Sequence, residues 1–121
     1  MLRRLLKHFR TLVDGPYGDQ MVVTGMRKPL GYQQLATNNS TAVTPTVPAS
    51  PTGAATPCRF AIVQNESASV YIRWRDDGTA PTTTSGMRIP PAGELQYAAD
   101  PSKLQFVSES STPNVNISYY A

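Results

Sequence analysis

The chain is short of the residues that most site chemistry needs. It has one cysteine, Cys58, and one histidine, His8, so no disulfide can close within it. A Cys/His zinc site, which takes about four such ligands, cannot be assembled either. A Cys–His nucleophilic pair is formally present, but His8 lies in a basic N-terminal stretch and Cys58 follows Pro57 at an expected strand start. Charge is sparse, at 16% against about 25% for an average domain. Long apolar runs are lacking, and no stretch approaches the roughly 18 residues of a membrane-crossing helix. There is no glycine-rich phosphate loop and no twelve-residue calcium loop ending in Glu. Asp76-Asp77-Gly78 reads as hairpin chemistry, because two contiguous carboxylates make a poor acid–base couple. The expectation is a protein that is not an enzyme, with no catalytic residues, no cofactor and no metal.

What the chain does have is proline. It carries 11 prolines in 121 residues, nearly twice the usual share of about 5%. With 40% hydrophobic residues, this mixture disfavours a helical bundle and suits one small, mainly β domain joined to an extended segment. The net charge of +3 is unevenly spread. Arg3, Arg4, Lys7, Arg10, Arg27 and Lys28 face only Asp14 and Asp19, so residues 1–28 carry +4 and the remainder −1. A nucleic-acid-binding domain would concentrate basic and aromatic residues together, so nucleic acid is not an expected partner.

Three segments follow from the pattern. In residues 1–13, Leu2, Leu5, Leu6, Phe9 and Leu12 recur at helical spacing, with Arg3, Arg4, Lys7 and Arg10 on the other face. Asp14, Gly15 and Pro16 end this expected amphipathic helix. Charge interrupts its apolar run too often for a signal peptide. At about a dozen residues the helix is marginal in water and needs a surface, whether a partner protein, a membrane interface or its own domain. Residues 14–57 read as an extended arm or linker, with prolines at 45, 48, 51 and 57 and few apolar side chains to bury. Residues 58–121 alternate between turn clusters, which predicts a small antiparallel β sandwich or barrel. Phe60, Ile62, Ile72, Trp74, Leu104, Phe106 and Ile117 are its expected core. A domain that small buries only about 60% of its unfolded surface, so homo-oligomeric contacts are expected to support it.

Within this domain Arg73 and Arg75 share one strand face and Trp74 takes the other. The two arginines either pair with Asp76, Asp77 or Glu66 or contact a neighbouring subunit. Tyr119 and Tyr120 point to opposite faces, which leaves Tyr120 exposed or at an interface.

The stretches VYIRWRDDGTAPT, GMRIPPAGE and NVNISYY together resemble a small β domain of minor virion proteins in tailed bacteriophages. The resemblance covers residues 58–121 only. It implies a structural role, as a capsid decoration or cement protein or as a neck, collar, tail or fibre attachment, with no catalytic residues to carry over. The implied partners are other virion proteins: the major capsid protein, or portal, neck and tail proteins. On this reading Leu2, Leu5, Leu6, Phe9 and Leu12 anchor the arm on a partner, while Arg73, Arg75 and Tyr120 meet neighbouring subunits. The protein would be made in the host cytoplasm and end in the particle. A reading from another class is a module that grips glycan or nucleic acid.

Overall fold

The computed structural model describes residues 26–49 and 58–121. The expected helix over 1–13, with Leu2, Leu5, Leu6, Phe9 and Leu12, lies outside them, as do residues 14–25 and 50–57 of the expected arm. Seven strands follow in order: β1 (Pro29–Ala36), β2 (Phe60–Asn65), β3 (Ile72–Arg75), β4 (Met87–Ile89), β5 (Glu94–Tyr97), β6 (Gln105–Ser108) and β7 (Asn114–Tyr120). A single 3-10 turn at Pro101–Lys103 precedes β6. All pairings are antiparallel and make two sheets, β1-β7-β2-β5 and β4-β3-β6.

One core lies between the sheets. Ala61, Val63, Tyr97, Val115, Ile117 and Tyr119 enter it from the four-stranded sheet, and Ile72, Ile89 and Phe106 from the three-stranded one. Leu104 and Cys58 complete it. The Cys58 thiol is buried and donates to the Phe60 carbonyl at 3.4 Å.

Three expected core residues sit elsewhere. Phe60 and Ile62 lie on the outer face of β2, because Ala61, Val63 and Asn65 take the inner positions. The reason is volume. Ala61 is opposite Tyr97 on one side and Tyr119 on the other, and a phenylalanine between two tyrosines would overpack the layer. Trp74 is only half-buried, at the margin of the core, where its ring meets Tyr97 edge-on at 5.9 Å.

The domain also begins earlier than residue 58. Residues 29–36, expected as part of the extended arm, pair with β7 through seven register positions from Pro29–Tyr120 to Ala36–Asn114. Beyond them the chain closes one side of the molecule. Thr37 N–H donates to the Pro113 carbonyl, Ser108 N–H donates to the Asn38 carbonyl, and Val43 exchanges two 2.9 Å hydrogen bonds with Phe106. Gln33 Oε1 accepts from both the Tyr119 hydroxyl (2.8 Å) and Thr46 N–H (3.0 Å), which ties this strap to the core. At Gly31 a Cβ would come within 3.1 Å of the Pro48 ring, tighter than ordinary contact, so the glycine lets the strap approach closely. The proline-rich stretch therefore covers the β1 and β6 edges, while the opposite edges, β4 and β5, are only three and four residues long. Both devices limit edge-to-edge pairing.

Candidate functional site

The two outer faces of the molecule differ in chemistry. On the four-stranded sheet the cross-strand register places outward side chains in rows. Pro29, Tyr120 and Phe60 form one row, and Tyr32, Ser118, Ile62 and Gln96 the next. Phe60 and Tyr120 are in tilted contact at 5.9 Å, and the Arg27 guanidinium lies 4.4 Å over the Phe60 ring. Tyr32 is 65% exposed and Met26 76%. The row below is polar: Gln34, Asn116, Gln64 and Glu94. Its groups are wired together, with Tyr32 OH donating to Asn116 Oδ1 at 2.7 Å and Asn116 Nδ2 to Gln64 Oε1 at 3.2 Å. An aromatic–aliphatic band thus abuts an amide band on one face of the sheet.

The opposite face is ionic and closed on itself. Arg73 Nε donates to Glu109 Oε2 at 2.7 Å, and its Nη1 to the Gly86 carbonyl at 2.9 Å. Arg88 takes both oxygens of the same carboxylate, at 2.8 and 3.0 Å, while lying 3.7 Å over the Tyr71 ring. Hydrogen bonds from Arg88, and then from Arg73, hold the Glu109 carboxyl below its usual range. A depressed folded-state pKa contributes stability that is present above the unfolded pKa and lost as pH falls through the folded one. Glu109→Gln is accordingly expected to lower the urea midpoint at neutral pH, with the deficit closing as wild-type Glu109 protonates. Equal midpoints at neutral pH, or a deficit unchanged under acid, would remove that role.

Between the faces, a cleft of about 440 Å³ opens beside β4, lined by Trp74, Arg75, Asp76, Asp77, Gly86 and Met87. Arg75 is bound to Asp77 through two hydrogen bonds, and Asp76 accepts from Tyr97 OH at 2.7 Å. Burial first, and then that bond, push the Tyr97 phenol up to about 12. Its polar groups are thus engaged with one another.

Arg73, Arg75 and Tyr120 are therefore not one site. The arginines lie on the outer face of the three-stranded sheet and Tyr120 on that of the four-stranded sheet. Arg75 does pair with Asp77, one of the partners expected for it. The partner of Arg73 is Glu109, 36 residues away in sequence, which no local pattern signals. Phe60, Ile62 and Tyr32 are surface residues that alternation assigned inward or to the arm. For Phe60 and Ile62 the signal that could have found them is that Phe60-Ala61-Ile62-Val63 is apolar in both phases.

Among the described residues no three His, Cys, Asp or Glu side chains gather to hold a metal, and no buried side-chain nitrogen or oxygen lacks a partner. The sequence matches no protein-family model, no curated protein and no solved structure. What this arrangement offers chemically is contact surface, apolar on one side and ionic on the other.

Proposed function

We propose that the protein is a non-enzymatic structural component of a bacteriophage virion, a capsid decoration or cement protein held on the particle by its N-terminal arm. The observation that carries this reading is the banded outer face of the four-stranded sheet, with the chain from the N-terminal side arriving on it at Arg27. Protein–protein contact surfaces combine an apolar core with a polar rim, and the apolar band beside the amide band offers that combination. The phage-like stretches in residues 58–121 support the same reading. Partners would be the major capsid protein or portal, neck and tail proteins, together with further copies of this chain. As a neck, collar or tail attachment the protein would use the same face at a smaller copy number. The amide band beside exposed Tyr32 favours one reading of another class, a glycan-binding module.

The test is a count of copies per purified particle against the major capsid protein, with the density located on the intact particle. A number matching the capsid lattice is expected. A ring-sized number confined to the neck or tail would replace decoration with attachment, and particles devoid of the chain would overturn the virion reading.

A further inference from the structure

The outer face of the four-stranded sheet has an unusual central strand. β2 is apolar inward at Ala61 and Val63 and outward at Phe60 and Ile62, a pattern proper to strands covered on both sides. The three-stranded sheet covers only the inner side. The outward apolar band has definite dimensions. Its apolar members lie on three strands, β1 (Pro29, Tyr32), β7 (Tyr120) and β2 (Phe60, Ile62), which at about 4.8 Å spacing span roughly 10 Å, and its two rows lie about 7 Å apart. A helix of about twelve residues is roughly 18 Å long and 10–12 Å wide with its side chains. A band of that size is covered by about two turns of a helix laid across the strands.

The chain contains one segment that fits. We propose that this band is the seat of residues 2–13 of the same chain, docked through Leu2, Leu5, Leu6, Phe9 and Leu12 on Phe60, Ile62, Tyr120 and Tyr32. The connection is direct, because Arg27 already rests on Phe60 and residues 14–26 join it to the stripe. Thirteen residues reach up to about 40 Å when extended, well beyond what the band requires. A tether of this kind gives an effective concentration in the millimolar range, which favours the same chain over a second copy at micromolar protein. The stripe, marginal as a free helix, gains the surface it lacks, and the basic face stays in water. This inference rests on the anchor reading only for its consequence: the stripe is sheathed on its own domain until a partner surface competes for it.

The test uses the free full-length protein, so its outcome is separate from the particle count. A nitroxide is placed at Lys7→Cys in a Cys58→Ser background. It is expected to broaden the amide signals of Phe60, Ile62, Ser118 and Tyr120 while sparing those of β3 and β4, and adding Leu5→Asp with Phe9→Asp should restore them. Broadening in a mixture of nitroxide-labelled, isotope-unlabelled and unlabelled, isotope-enriched chains would assign the stripe to a second copy. Broadening that is absent or uniform would leave the band without this occupant. Either result overturns the proposal. A second measurement keeps Cys58: in Ile62→Lys the helical far-UV signal should disappear while the fluorescence of Trp74, in the other sheet, stays native. A helical signal unchanged by Ile62→Lys would also overturn it.

Discussion

Asn65→Leu is expected to remove most of the domain's stability, although the substitution makes the site more apolar. The Asn65 side chain is fully buried at the end of β2. Its Nδ2 group faces three carbonyls, those of Val70 (2.8 Å), Ile89 (3.2 Å) and Pro90 (3.1 Å), and its Oδ1 accepts from Ser67 N–H at 3.0 Å. The amide thereby joins the β2–β3 turn to the β4–β5 turn, where Ala92 is held at φ 58° and donates to the Ser67 carbonyl. A left-handed alanine persists only where its surroundings fix it. Leucine deprives the Val70 and Ile89 carbonyls of the Nδ2 donor and Ser67 N–H of the Oδ1 acceptor, at about 1–3 kcal/mol for each group left unpaired, while the Pro90 carbonyl keeps Gly93 N–H. A domain of roughly ninety residues has only about 4–13 kcal/mol in total. Asn65→Asp separates this account from simple loss of shape. A carboxylate among carbonyls is repelled and desolvated, so its folded-state pKa rises above the unfolded value. Stability is then present below the unfolded pKa and lost as pH rises through the folded one. Denaturant titrations should place Asn65→Asp close to wild type in acid and far below it at neutral pH. An aspartate variant as stable as wild type at neutral pH would refute the role.

Asn65 also marks where sequence reading reaches its limit. Asn65-Glu66-Ser67 reads as a turn, and it is one, but a polar residue gives no sign that it will be buried when its partners lie up to 25 residues away. Alternation located Ile72, Phe106, Ile117 and Tyr119 inside, and each is buried. It failed at β2, where both phases are apolar and the bulk of Tyr97 and Tyr119 decides. It failed again at β1, whose PLGYQQLA is an edge strand with no fully buried side chain, held by its backbone ladder to β7. The strap at 37–48 was unreadable for a related reason: main-chain groups hold much of it. Of the contact surfaces, the outward arginines and Tyr120 followed from strand geometry, whereas Glu109 and the Phe60–Ile62 band needed the register.

The largest effect on assembly is expected from the apolar stripe rather than from the charges beside it. Burying a leucine or phenylalanine is worth about 1.5–3 kcal/mol, while an exposed ion pair is usually worth under about 1 kcal/mol and is screened by salt. Leu5→Asp with Phe9→Asp should therefore abolish incorporation into particles, and Arg3→Gln with Arg4→Gln should weaken it modestly. The measurement is copies per purified particle for both double variants, prepared at low and high salt. Docking of the stripe on anionic membrane or nucleic acid would reverse the order, and occupancy would fall steeply with salt. A charge variant that loses occupancy while the apolar variant keeps it would overturn the protein-docked anchor. The size of the expected loss follows from linkage. Joining a weak β-domain contact to a weak arm contact makes the second intramolecular and raises avidity by about 10²–10⁴ over either alone. Removing the stripe should forfeit that factor even with both sheets intact, so a folded domain that no longer joins the particle is the signature of an anchor. A stripe that served only to cover Phe60 and Ile62 on its own sheet would leave occupancy where it was.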